Sequence, residues 1–196
     1  YIGKAGGSEG GGDSAPVHVV EEVTQQTIIP KNNFDTTTKA YINNMTHLKK
    51  EEGIIVDANT GKIIKEVKGK GEYLRLNEDH QKDMRGNILI HNHPEGVRSS
   101  FSYNDFRIAG DYRASGIVAI TDKYAYVLKV NSLNGTIALI DQDGTNSKKH
   151  TQLESKYRKL YSKDNWEEGT HKLNEEFVSN YPDVTYERIP LKDYIT

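Results

Sequence analysis

The chain has 196 residues, no cysteine and a formal net charge of −2, with 26 basic against 28 acidic side chains. That length suits one domain with a sizeable core plus appended segments, and the scattered charge gives neither the basic stripe of a nucleic-acid binder nor an acidic tail. Without cysteine there is no disulfide, thiol nucleophile or thiolate metal site, so any transition metal must be held by imidazole and carboxylate. No run approaches the roughly 18 apolar residues that span a bilayer, and the N-terminus lacks the charged-then-apolar order of a signal peptide. A start at Tyr1 rather than Met reads as a piece of a longer chain, from which a targeting signal could be missing.

Residues 1–16, YIGKAGGSEGGGDSAP, are Gly-rich with Ser and Pro and read as a flexible linker. VHVVEEVTQQTIIP follows as an edge strand or extended arm that Pro30 ends. In DTTTKAYINNMTHLKK, Asp35 is placed as an N-cap, and Ala40, Ile42, Met45 and Leu48 recur at helical spacing. EEGIIVDANTGKIIKEVKG then changes period: two β-branched runs flank Asp57-Ala58-Asn59-Thr60-Gly61, which predicts a hairpin.

EYLRL reads as a short strand, and NEDHQKDMRG as a short helix with Asn77 as cap and Gly86 as stop. NILIH is a buried strand, and SYNDFRIAGDYRAS a helix capped by Ser102 and ended by Gly116. IVAITDKYAYVLKV gives two strands across Asp122-Lys123, and TIALI is a further apolar run after Asn134-Gly135. From residue 146 onward polar helical segments carry Tyr157, Leu160, Tyr161, Trp166, Leu173 and Phe177 and lead to a final strand in YERIPL. Helices and strands interleave, so the expected class is α/β with a mixed β-sheet flanked by helices, residues 17–145 forming the core and 146–196 a helical extension packed on it through Tyr157, Leu160, Trp166 and Phe177.

The chemistry concentrates in NILIHNHPEGVRSSFSYNDF, residues 87–106. Alternate strand residues share a face, so His91 and His93 project side by side with about 6–7 Å between their Cα atoms, a chelate spacing. Pro94 cannot donate to a ladder, so the strand stops there and the imidazoles stand at the rim of the sheet. Ser102 and Asp105 read locally as a helix cap and a first-turn carboxylate, a capping-box variant favoured by the helix dipole. Joined together the pattern is His-x-His-Pro, seven residues, Ser, two residues, Asp. Five fixed positions at residue frequencies near one in twenty make chance occurrence on the order of one in ten thousand or less.

This pattern resembles the signature of the JAMM (MPN-plus, Mov34-type) zinc metalloproteases, and HNHP resembles the form in the RadC-type and phage-associated branches. The resemblance covers roughly residues 45–130 and implies a three-layer fold like that of the cytidine deaminases. It implies a Zn²⁺ held by His91, His93 and Asp105 with one position left open, the pattern of a catalytic zinc. It further implies Ser102 as a donor to the developing oxyanion and an upstream glutamate as general base. Glu51 and Glu52 are the candidates for that base; Glu51-x-Gly-Ile-Ile-Val-Asp is closer to the family pattern, and alternation lets only one of the two face the metal.

The function so implied is an enzyme: a zinc-dependent hydrolase cleaving a peptide or isopeptide bond in a protein or peptide substrate, cytoplasmic or virion-associated, with no nucleic-acid or membrane partner. A catalytically silent binding or assembly module, for example in a phage head-morphogenesis protein, is the alternative. Asn92 stands where many eukaryotic deubiquitinating members carry Ser or Thr, and the segment EGVRSSF with Arg98 matches no substrate motif. His93-Pro94-Glu95 contains the His-x-Glu of zinc nucleobase deaminases, but their second half-site takes two cysteines. An HNH nuclease spreads its histidines over distant elements, unlike this pair. The remaining histidines, His18, His47, His80, His150 and His171, have no partner at ligand spacing and read as surface or helix-end residues.

Overall fold

The structure, a computed structural model, describes residues 34–71, 73–94, 96 and 98–196. The linker assigned to residues 1–16, the segment up to Pro30 and His18 lie outside the described residues. In chain order the elements are α1 (Thr36–Met45), β1 (Glu52–Val56), β2 (Ile63–Lys68), α2 (Glu78–Met84), β3 (Ile88–Asn92), α3 (Tyr103–Asp111), β4 (Gly116–Ile120), β5 (Tyr124–Val130), α4 (Leu133–Leu139), α5 (Thr145–Leu160), a 3₁₀ turn (Lys163–Asn165), α6 (Trp166–Val178), β6 (Val184–Pro190) and α7 (Leu191–Ile195).

The strands form one six-stranded mixed sheet in the order β2-β1-β3-β4-β5-β6, in which only β3 and β4 run parallel. Alternation divides the apolar side chains into two cores. Ile54, Val56, Ile88, Ile90, Val118 and Ile120 pack with Ile42 and Met45 of α1 and with Leu191 and Tyr194 of α7. Ile55, Leu89, Ile117, Tyr126 and Leu128 pack on the other face with Met84, Phe106, Leu139 and Phe177 of α2, α3, α4 and α6. The result is the α/β three-layer arrangement, a mixed sheet covered by helices on both sides.

The caps work as read from the sequence at two helices: Asp35 accepts from the Thr38 amide at 2.8 Å, and Asn77 from the His80 amide at 2.9 Å. Gly86, with φ of 73°, follows α2 as its stop. Elsewhere the structure differs. Among the described residues of EYLRL, Leu74 makes an isolated bridge to Gly69 and the segment forms no strand. The apolar run TIALI, to which the sequence assigned no element, supplies residues 136–139 of helix α4 and its C-cap Ile140, and the helix's N-cap Ser132 accepts from the Gly135 amide at 3.2 Å. Helix α3 ends at Asp111, before Gly116, which opens β4; between them Arg113 adopts φ of 53°.

The region after residue 146 enters the architecture itself, since β6 pairs with β5 along seven residues. Phe177 is fully buried, whereas Leu160 is 65% exposed on the outer side of α5. His150 and His171 are buried, not at the surface. Their partners lie in distant elements: His150 Nε2 meets Asn174 Oδ1 at 3.3 Å, and His171 Nδ1 meets the Tyr186 hydroxyl at 2.9 Å. His47 is exposed, and half-buried His80 accepts from the Asn77 amide through Nδ1 at 3.1 Å. Among the described residues no helix is long and apolar enough to cross a membrane.

Asp141 joins the N-terminus of α5 to that of α3, accepting from the amides of Asn146 and Ser147 at 2.8 and 2.9 Å and from the Tyr103 hydroxyl at 2.6 Å. Partial burial works against its charge, but the Tyr103 hydroxyl and the two amides outweigh it and push its pKa down to about 2. A depressed carboxylate stabilises the fold above its unfolded pKa of about 3.9, and that contribution disappears as pH falls through the folded value. We expect Asp141→Asn to lose about 1–3 kcal/mol at pH 7. Denaturant titrations should show the gap between wild type and variant closing from pH 4 towards pH 2; a gap constant over that window would contradict the assignment.

Candidate metal centre

The site follows from the one parallel pair. A strand that must be joined to a parallel neighbour runs into a crossover helix, so the C-terminal end of β3 and the N-terminus of α3 meet at the same edge of the sheet. His91, the penultimate residue of β3, lies on the face of Leu89, and His93, one residue past the end of the strand, still bonds the ladder, its amide donating to the Ile120 carbonyl at 2.8 Å. The two imidazoles therefore share a face, with ring centroids 5.0 Å apart and Nε2 atoms 3.1 Å apart. From α3, Asp105 brings Oδ1 to 3.2 Å from His91 Nε2. One donor atom from each of His91, His93 and Asp105 lies within 4.8 Å of the others, so the three could hold a metal ion.

The surroundings fix each donor. Ser102 is the N-cap residue of α3, and its backbone N–H and its hydroxyl both donate to Asp105 Oδ2, at 2.8 and 3.2 Å. That leaves Oδ1 for the imidazoles. The Ser99 carbonyl stands 2.7 Å from His93 Nδ1, and a carbonyl only accepts, so Nδ1 carries the proton and Nε2 presents its lone pair. Such an outer bond orients metal-ligating histidines.

Charge in this corner is tightly coupled. Burial pulls the His91 imidazole down, but the carboxylates of Asp105 and Glu51 outweigh it and raise its pKa above the ordinary value. His93 is lowered, first by burial and then by the neighbouring His91. For Asp105 burial works upwards, but the two imidazoles and the Ser102 amide hold its pKa below the usual range. A donor set of two nitrogens and one oxygen suits zinc, and bond lengths of about 2.0–2.1 Å to tetrahedral zinc put neighbouring ligand atoms about 3.3 Å apart. The separations of 3.1 and 3.2 Å fit that spacing.

Residues 51 and 52 point to opposite faces. Glu51 turns towards the histidines, with Oε1 3.9 Å from His91 Nε2. Glu52 turns to the α1 side, where Lys50 and Lys68 pair with it at 3.0 and 3.3 Å. Burial opposes the Glu52 charge, but those lysines lower its pKa.

Three residues that the sequence gave no role support this corner. Asn92 is 1% exposed; its Oδ1 accepts from the Glu52 amide at 2.7 Å and its Nδ2 donates to the Lys50 carbonyl at 3.1 Å. It thus clamps the backbone on both sides of Glu51. Behind the loop from Pro94 to Ser102, the Asn174 side chain donates to Ser100 Oγ at 3.1 Å and to the Phe101 carbonyl at 2.9 Å. Thr170 Oγ1 accepts from the Ser100 amide at 2.8 Å. Only the alternation that faces Asn92 away from the histidines carried a signal; Thr170 and Asn174 act on partners 70 to 74 residues away.

In comparisons with known proteins the chain matches no protein-family model, no curated protein and no solved structure. What the site can do therefore rests on its own geometry. Elemental analysis of the purified chain should find about one transition-metal ion per molecule. His93→Ala should abolish that stoichiometry while the circular dichroism spectrum is kept, because His93 lies beyond the end of β3 and is only half-buried. A variant that retains a full equivalent would place the metal elsewhere.

Proposed function

We propose that this domain is a zinc-dependent hydrolase of the JAMM type that cleaves a peptide or isopeptide bond. The observation that carries the reading is convergence: Glu51, His91, His93, Ser102 and Asp105, drawn from three chain segments, meet in one corner at the end of β3. His91 and His93 would hold the ion through Nε2 and Asp105 through Oδ1. When bound there, zinc supplies Lewis acidity, making water easier to deprotonate and polarising a carbonyl.

The remaining work falls to the protein. The Glu51 carboxylate takes a proton from the attacking water and returns it to the departing amine nitrogen, so one residue serves as base and then as acid. Its backbone is held for this by Asn92. Ser102 has one hydroxyl proton, and in the resting arrangement it lies on Asp105 Oδ2. Turning it to the developing oxyanion leaves Oδ2 bonded to the Ser102 amide, so Asp105 keeps its orientation while the hydroxyl works.

The experiment is a substitution series on zinc-loaded protein, with a substrate found by screening peptide and isopeptide libraries. Glu51→Gln should keep zinc and substrate binding while kcat falls by about 10²–10⁴. Glu52→Gln should leave kcat nearly unchanged, since that carboxylate faces Lys50 and Lys68. If both variants stay active on a substrate that zinc removal protects, the glutamate-base mechanism is wrong. Asn92→Ala should retain the metal, lower kcat more than it alters KM, and cost about 1–3 kcal/mol through the unpaired backbone groups. Equal losses of zinc and activity would show Asn92 to be merely structural.

A further inference from the structure

Strand β1 begins at Glu52, so Glu51 lies just outside the ladder that would otherwise fix it. The direction of its side chain is set by the two peptide units that flank its Cα, since those units leave only two soft dihedrals. They carry four backbone polar groups, and each can be followed. The Glu51 amide donates to the Gly71 carbonyl at 2.8 Å. Asn92 takes the Lys50 carbonyl at 3.1 Å and the Glu52 amide at 2.7 Å. The last group, the Glu51 carbonyl, turns towards Gly69.

Gly69 is where the pairing of β1 with β2 breaks register. Glu52 faces Lys68, which puts Gly69 next in line for Glu51, yet the Glu51 amide bonds to Gly71, two residues further on. To allow this the chain turns back sharply after β2: the Lys70 amide donates to the Tyr73 carbonyl at 2.9 Å, Leu74 bridges to Gly69, and Gly71 takes φ of 69°. The turn thereby closes directly on Glu51. A Cβ on Gly69 would overlap the Glu51 carbonyl oxygen and stand 2.9 Å from both the Glu51 carbonyl carbon and the Tyr73 carbonyl oxygen. All of these atoms are backbone, so no side chain can swing aside to make room. The turn is also anchored from behind, because Leu74 packs against the core of Ile55 and Leu89, its Cδ1 3.2 Å from where a Cβ of Gly53 would stand.

We propose that Gly69 is a positioning residue for Glu51: its missing side chain lets the turn after β2 close on the Glu51 carbonyl, and with Asn92 it fixes the peptide unit that aims the carboxylate. The N–H and C=O of a trans peptide unit point in opposite directions, so Asn92 and Gly69 hold this unit from its two ends. A methyl group at residue 69 must rotate it, and the long glutamate side chain magnifies the rotation at the carboxylate. The inference rests on the hydrolase reading only for what that carboxylate then does.

The deciding measurement needs no substrate. In crystals of the whole chain and of Gly69→Ala, both loaded with zinc alone, the Glu51 carboxylate should differ in position by about 1 Å, a misplacement that costs on the order of 10² in rate. His91, His93 and Asp105 should superpose, with zinc stoichiometry unchanged. A folded variant whose carboxylate has not moved overturns the inference, whatever Glu51→Gln does to kcat. Should Gly69→Ala not fold, amide hydrogen exchange of the wild type decides: the Glu51 amide should exchange about 10³-fold or more slower than in a free peptide, and exchange at the free-peptide rate overturns the inference. On a substrate from the library screen, Gly69→Ala should lower kcat about 10²-fold with KM nearly unchanged. In the Glu51→Gln background the further fall should be less than about threefold, because residues that act as one unit are not additive. An equal fall in both backgrounds makes Gly69 merely structural and overturns the inference as well. A shifted Glu51 in a chain that cleaves nothing keeps the positioning role and removes the hydrolase reading.

Discussion

Two imidazole nitrogens 3.1 Å apart in a buried corner, with a carboxylate oxygen 3.2 Å from one of them, form an arrangement that wants a positive charge at its centre. In water such groups would separate and be solvated; here burial removes that option, and the fold must hold them together by other means. Much of the surrounding structure can be traced to that requirement. The parallel pairing of β3 and β4 brings the start of α3 against the end of β3. The cap of α3 orients Asp105, and the Ser99 carbonyl orients His93. A site assembled from a strand end and a helix start owes its accuracy to backbone geometry more than to flexible side chains.

The same requirement explains why polar groups are buried behind the loop. Ser100, Asn174, His150, Tyr186, His171 and Thr170 form a connected set, with Ser100 Oγ 2.5 Å from the Tyr186 hydroxyl. An apolar core would have been cheaper to bury, but it could not have gripped the loop by its amides and carbonyls. The loop is thereby tied to α6 and β6, so the last fifty residues take part in positioning the ligands. Gly135 shows how closely this part is fitted: a Cβ there would come 2.6 Å from the Asp183 carbonyl oxygen.

How much of this could be read from the sequence depends on range. His91 and His93 were legible because strand alternation acts over two residues, and Asp105 because capping acts over three. The opposed faces of Glu51 and Glu52 followed from the same alternation. EYLRL misleads because a β-rich run becomes a strand only where a neighbour offers a ladder, and that is a tertiary fact. TIALI is too short for its period to tell strand from helix. His150 and His171 look like surface residues in their polar helices; their burial is decided by Asn174, Tyr186 and the sheet, none of which a local window contains.

Whether a held metal serves structure or chemistry turns on what stands around the position the protein leaves open. A structural zinc is closed by four protein ligands, whereas three leave room for water or substrate. Among the described residues the group that could hold a metal has three members, and a second carboxylate, Glu51, stays 3.9 Å from His91 Nε2. A side chain meant to complete a closed shell would be drawn in to ligand spacing beside the other three. Glu51 is instead fixed from behind by Asn92, at a distance that suits a proton acceptor facing a small molecule in the gap. An assembly module has no use for a carboxylate clamped in that place, nor for the Ser102 hydroxyl set beside Asp105 at the same corner. The hydrolase reading gives each of these features a task, and that economy is the reason to prefer it.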